Sequence, residues 1–451
     1  MEFGRLKQTT SNARPIFPQT PKKEENMEYD YAFEMAASNI RFGPGTTREV
    51  GMDLSELGLK RVMVVTDPNL TGMQPVETVL ESLSRENVSY SLFDRVRIEP
   101  TDSSLKEAIE FAKSDSFDGF VAVGGGSTID TAKVANLYTT YPADFLDYVN
   151  PPIGKGVPIP GELKPLFAIP TTAGTGSETT GVAIFDLEKM HAKTGIAHRR
   201  LKPTLGIVDP ENTRTLPPMA AACTGLDVFT HAIESYTALP FNMRPRPERP
   251  ILRPAYQGSN PVSDIWSLEA MRIGAAYLVR AVEDPCDDEA RGMMLLAASF
   301  AGVGFGNAGV TLPHGMSYPV SGMVREYRAE GYPDDHPLVP HGMAVVLNAP
   351  AAFRFTGSAN PERHLKAAEV LGADVSGARL EDAGSILADR VIQIMKRLNI
   401  PNGLSAIGYS RDDIPQLVEG TLPQHRVIKL SPRPVGPEEL TRIFEDAMVY
   451  W

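Results

Sequence analysis

The most constraining stretch of this chain is residues 119–133. There Gly119-Phe120-Val121-Ala122-Val123 runs without a break into Gly124-Gly125-Gly126-Ser127-Thr128-Ile129-Asp130-Thr131-Ala132-Lys133. A short apolar run of this kind reads as a strand buried on both faces, as in a parallel sheet. Three glycines at its end remove the side chains that would hold a phosphate off the backbone. Ser127 is placed to cap a new helix, leaving free N–H groups to face an anion. Strand, triple glycine and helix in immediate succession predict a pyrophosphate site at this turn, with a generic Gly-rich turn as the weaker alternative.

Similar units precede it. Arg61-Val62-Met63-Val64-Val65-Thr66 is a strand that ends at Asp67-Pro68. Ligands of open α/β sheets bind at such carboxyl ends, where Asp67 could hydrogen-bond a ribose and repel a 2′-phosphate. It reads equally as a turn-forming Asp before Pro. A helix through Val76, Leu80 and Leu83, a strand near 90–93 and a helix over 104–114 complete the next unit. Farther on, Thr171-Thr172-Ala173-Gly174-Thr175-Gly176-Ser177-Glu178 is a loop of hydroxyls and glycines. It suits a polar ligand, or a plain surface loop. A hairpin at 182–185 and a return strand at 204–208 end the alternation, so a domain boundary falls at 216/217 and Pro217 opens a helix.

That helix carries Asp227 and His231 one turn apart, which puts a carboxylate and an imidazole on one face. Alone, the pair reads most simply as a polar stripe. Two further histidines stand in matching settings, Pro313-His314-Gly315-Met316 and Pro340-His341-Gly342-Met343, and together the four make a donor set for a divalent metal. Between them, residues 321–340 hold Arg325, Arg328, Asp334, Asp335 and His336. A Pro- and Arg-rich loop over 243–257 offers guanidinium groups, the preferred clamp for carboxylates, or is simply solvated. The rest reads as amphipathic helices, for instance 382–398 and 437–449.

A formal net charge of −12 argues against a nucleic-acid partner. No apolar run reaches the roughly 20 residues a membrane helix requires. Cys223 and Cys286 have no paired or metal-type spacing and fit a reducing compartment. Residues 1–28 read as a disordered tail, or as a weak targeting segment.

The Gly124-Gly125-Gly126-Ser127 segment with Asp130 and Lys133, the 171–178 loop, Gly225-Leu226-Asp227 with His231 and Glu234, and both Pro-His-Gly-Met segments resemble the iron-containing alcohol dehydrogenase family. Arg97-Ile98-Glu99-Pro100-Thr101-Asp102-Ser103-Ser104 and Arg253-Pro254-Ala255-Tyr256-Gln257-Gly258-Ser259-Asn260-Pro261 resemble its transhydrogenase branch. The resemblance implies a Rossmann-like dinucleotide-binding α/β domain (29–216) followed by an all-helical metal-binding domain (217–451), the dehydroquinate synthase-like fold. It implies Asp227, His231, His314 and His341 as metal ligands and catalytic centre. It implies NAD bound by Asp67, Gly125, Gly126, Ser127, Asp130, Thr171, Thr172, Thr175 and Lys193. Iron(II) is the metal it favours, whereas affinity ordering would favour zinc. Where many members of the family carry a second histidine after the third ligand, this chain has Tyr318.

The resemblance implies oxidation of 4-hydroxybutyrate coupled to reduction of 2-oxoglutarate through bound NAD. The alternatives are an ordinary NAD-dependent alcohol dehydrogenase that releases NADH, and a catalytically dead nucleotide-binding protein. Both acids carry a carboxylate away from the reacting carbon, and Arg253 is the expected clamp, with Tyr318 and His336 as further substrate contacts. A homo-oligomer, a dimer, is expected. The compartment is the cytoplasm in a bacterium or the mitochondrial matrix in a eukaryote.

Overall fold

Six parallel strands form the central sheet. They are β1 (Asn39–Phe42), β2 (Arg61–Val65), β3 (Ser89–Phe93), β4 (Gly119–Gly124), β5 (Leu166–Pro170) and, after a hairpin, β8 (Leu205–Val208), in the spatial order β1-β8-β5-β4-β2-β3. The computed structural model describes residues 28–451 except 191 and 333–335. The tail expected over 1–28 therefore lies, but for Glu28, outside the described residues, as do Asp334 and Asp335.

The alternation of β2 explains its burial. Met63 and Val65 point into one core with Phe93, Phe120 and Ala122, while Val62 and Val64 point into another with Val121, Val123 and Ile207. Both faces are covered by crossover helices, α1 (Val50–Glu56), α2 (Gln74–Arg85), α3 (Asp102–Lys113) and α4 (Gly126–Thr140). Thr101 caps α3 by accepting the Ser104 N–H at 3.2 Å. The edge strand β1 is absent from the expectation, because Asn39-Ile40-Arg41-Phe42 has no apolar run. It is held instead by backbone pairing in parallel with β8.

Strands β6 (Val182–Leu187) and β7 (Ala192–Ala197) make a separate antiparallel hairpin. After β8 the chain turns helical. α5 (Pro218–Thr237) starts one residue later than expected, with Pro217 as its N-cap. α6 (Pro261–Glu283) and α7 (Asp288–Ala308) pack on it. Gly309, at φ +100°, breaks the chain between α7 and α8 (Leu312–Gly322), which meet at 104°. α9 (His341–Thr356) follows, then shorter helices including Ala383–Arg397 and Pro437–Ala447. Among the described residues no single helix is long and apolar enough to cross a membrane. Cys223 is buried and Cys286 exposed, both as free thiols.

Candidate active site

Helices α5, α8 and α9 converge on one point. α5 brings Asp227 and His231, which the helical repeat stacks with His231 Nδ1 3.7 Å from Asp227 Oδ2. The sharp bend at Gly309 turns the start of α8 inward, so that His314 Nε2 stands 3.5 Å from Asp227 Oδ1. The first residue of α9, His341, places its Nε2 3.9 Å from the same oxygen. Donor atoms of Asp227, His231 and His314 all lie within 4.8 Å of one another.

Asp227 Oδ1, His231 Nδ1 and His314 Nε2 are buried and have no hydrogen-bond partner. Unpartnered polar atoms are rare in a folded interior, and three converging on one point are what a bound cation would satisfy. Burial holds the His231 imidazole down, to about 3, and also lowers His341. Burial alone would raise Asp227, but His231, His341 and His314 outweigh it and hold the carboxylate well below its usual range. Burial pulls His314 down too, yet Glu234 and Asp227 carry it up to about 10, so an incoming metal must displace its proton. Phe305 stacks on His231 with ring centroids 3.9 Å apart and fixes the plane of that ring.

Two cavities meet at this cluster. The outer one is a cleft of 550 Å³ at the carboxyl ends of the strands, lined by Asp67, Gly125, Gly126, Ser127, Thr171, Thr172 and Thr175. Gly125 is the N-cap of α4 and carries no side-chain cap, so the first N–H groups of the helix face the cleft. Ser127 is not the cap that was expected; its Oγ accepts the Glu99 N–H at 3.2 Å. A Cβ on Gly126 would fall 2.6 Å from Thr175 Cγ2, so the absence of a side chain lets the 171–178 loop close against the helix. Asp67 is buried at the far end and accepts the Asn69 N–H at 2.9 Å. Burial raises its carboxyl above the usual value. These features fit a dinucleotide with its pyrophosphate on α4.

Asp130 and Lys193, expected at the cofactor, do not line the cleft; both face the inner cavity. One Asp130 oxygen accepts from Ser177 Oγ at 2.6 Å and the other from the Ile184 N–H at 2.9 Å, so it holds the loop and hairpin in place. Lys193 projects from β7 and pairs with Glu99 and, at 3.5 Å, with Asp186.

The inner cavity, of 110 Å³, is lined by Asp227 and the three histidines together with Glu99, Tyr256, Phe305, Tyr318 and Arg426 among others. Tyr318 follows His314 by one helical turn and therefore shares its face. Arg253 is not there. Its guanidinium forks onto Asp30, with both bonds at 3.0 Å, so its charge is already matched by a buried carboxylate and it lines neither cavity. His336 lines neither cavity.

Two residues at the site escaped the sequence reading. Glu99 borders both cavities and adopts φ +54°, a left-handed backbone that no local motif announces. Arg426 comes from the four-residue helix His425–Ile428, which packs on α8 and lies more than a hundred residues beyond Tyr318.

The same order of parts is found in known proteins. A family model described as iron-containing alcohol dehydrogenase matches residues 37–210, and one for the C-terminal region of that family matches 255–448. The chain is 60% identical over 433 residues to a Xenopus tropicalis protein named hydroxyacid-oxoacid transhydrogenase, mitochondrial, covering 96% of this chain and 92% of that one. The Homo sapiens protein of the same name is 58% identical over 421 residues, covering 93% and 90%. Among solved structures, a 1,3-propanediol oxidoreductase superposes with a TM-score of 0.81 at 27% identity, covering 92% of this chain and all of that one. A sulfoacetaldehyde reductase from Bifidobacterium kashiwanohense in complex with NAD+ does so at 0.74 and 26%, covering 93% and 98%.

Proposed function

This chain belongs to the iron-containing alcohol dehydrogenase family, and from that premise we propose that it is a hydroxyacid-oxoacid transhydrogenase. It oxidises 4-hydroxybutyrate to succinate semialdehyde and reduces 2-oxoglutarate to 2-hydroxyglutarate, with NAD retained between the two half-reactions. The observation that carries this reading is the junction of a nucleotide cleft and a small inner cavity at one buried donor cluster. The identity to relatives of that name, over more than nine-tenths of the chain, supports the choice of reaction.

When bound, NAD carries hydride between the two acids, and a divalent ion polarises the oxygen on the reacting carbon. Asp227, His231, His314 and His341 would hold the ion. Glu234 fixes the His314 ring so that Nε2 points into the cluster. The N-terminus of α4 and the 171–178 loop orient the nucleotide, and Asp67 selects for an unphosphorylated ribose. Each oxidation releases the proton that the following reduction takes up, so the complete cycle needs no net proton or electron source. Iron(II) is the proposed ion, although a carboxylate with three imidazoles also suits zinc, and metal analysis distinguishes them. Eukaryotic relatives named mitochondrial support a place in the mitochondrial matrix. A homodimer is the proposed assembly, checked by light scattering.

The test is isotopic. With 4-hydroxybutyrate deuterated at the hydroxyl-bearing carbon and unlabelled 2-oxoglutarate, the label appears at the carbinol carbon of 2-hydroxyglutarate. Label passing into a pool of free NADH instead would favour a dehydrogenase that releases its cofactor.

A further inference from the structure

Arg426 has a buried Nη1 with no hydrogen-bond partner. Its Nη2 donates to the Tyr318 hydroxyl at 3.1 Å, and its Cζ lies 4.7 Å from the centroid of the Tyr256 ring. The two rings thus fix the guanidinium at the wall of the inner cavity and leave one arm of its fork free.

The other charges on that wall are already matched. Lys193 lies between Glu99 and Asp186, Asp130 takes Ser177 and the Ile184 N–H, and Asp227 faces the histidines. Among the described residues lining the cavity, Arg426 is the cation with no carboxylate beside it. A buried guanidinium N–H left unpaired is strongly unfavourable, and the fork matches a carboxylate in shape as well as charge.

We propose that Arg426, with the Tyr318 hydroxyl, is the subsite for the substrate's distal carboxylate. Tyr318 lies one turn beyond His314 on α8, an axial rise of about 6 Å, so the anion sits one helical turn from the metal cluster. The inference rests on the transhydrogenase reading for the identity of the acids, and it explains how one site takes both. In 4-hydroxybutyrate the reacting carbon bears a CH2CH2COO− tail, and in 2-oxoglutarate it bears the same tail. The two differ at the reacting carbon itself, where the oxoacid carries a further carboxylate. The substrate class is therefore short acids with CH2CH2COO− on the carbinol or carbonyl carbon. Acids whose only carboxylate is attached directly to that carbon fall outside it.

Butyrate carries the tail and cannot react, so its binding reports the subsite without hydride transfer. Calorimetry on metal- and NAD-loaded protein compares butyrate with neutral butyramide, in the wild type and in Arg426→Met, Arg426→Lys and Tyr318→Phe. The wild type is expected to bind butyrate well and butyramide poorly. Arg426→Met weakens butyrate by roughly 10- to 100-fold. Arg426→Lys, which keeps charge without the fork, loses less. The preference for 4-hydroxybutyrate over 1-butanol, as a ratio of kcat/KM, falls in the same order. Butyrate binding undiminished in Arg426→Met, equal binding of butyrate and butyramide by the wild type, or equal losses for acid and neutral alcohol would overturn the assignment. Failure of the transhydrogenase reading is separable: it shows as turnover that depends on added NAD, with butyrate binding intact.

Discussion

His314 Nδ1 and Glu234 Oε1 lie 2.6 Å apart, and both side chains are shut off from solvent. The second oxygen of Glu234 accepts the Thr311 N–H at 2.6 Å, so the carboxylate is anchored at the start of the segment that carries the histidine. One residue of α5 therefore sets the ring orientation of His314 on α8. Glu234→Gln keeps the shape and removes the charge. It is expected to weaken metal affinity by about 10- to 100-fold, read by chelator competition. Unchanged affinity would mean that the pair is purely structural.

Removal of the metal should destabilise the fold, because three buried donor atoms would be left without partners. A ligand present at a thousand times its Kd adds about 4 kcal/mol. Calorimetry before and after chelation is expected to show a fall in Tm, restored by Fe2+ or Zn2+. The same scan on Asp227→Ala should show no response to metal.

The Arg253–Asp30 pair ties the N-terminal segment to the helical half of the chain. Arg253→Ala should cost about 1–3 kcal/mol of stability while leaving the KM for 4-hydroxybutyrate at its wild-type value. A raised KM without loss of stability would return Arg253 to the substrate site.

The same pair gives a pH dependence. Burial alone would raise the Asp30 carboxyl, but Arg253 and Arg244 outweigh it and hold it below the usual range. A carboxyl that is lowered in the fold contributes stability above its unfolded pKa, and that contribution is lost as pH falls through the folded value. Thermal scans should therefore show the wild type losing its advantage over Asp30→Asn below about pH 4. A constant difference across that range would contradict the pairing.

Asp67 lines the outer cleft, where the proposed function places the ribose. Asp67→Gly removes the carboxylate that would face a 2′-phosphate and should shift the NAD-to-NADP preference by about tenfold or more, measured by equilibrium binding. No shift would make Asp67 a turn residue alone.

The parts legible in the sequence are those written in short, local patterns. The 119–133 stretch announces β4, the glycine turn and α4, because burial on both faces and close backbone approach each demand particular residue types. Asp227 and His231 are legible as a pair through the helical repeat. His314 and His341 are legible through their matching Pro-His-Gly-Met settings, and the bend at Gly309 and the start of α9 at His341 bring them to the pair. β1 leaves little trace because backbone pairing at a sheet edge asks little of side chains. Arg253 looked like a clamp because nothing local reveals its partner Asp30, 223 residues away. Arg426 carries no local signal either, since only tertiary packing brings a short C-terminal helix beside Tyr318.

The most direct measurement is turnover of metal-quantified protein with no NAD added. The account predicts that 4-hydroxybutyrate is converted only when 2-oxoglutarate is present, with succinate semialdehyde and 2-hydroxyglutarate formed in equal amounts. Turnover that requires added NAD+, accumulates free NADH and ignores 2-oxoglutarate would contradict it.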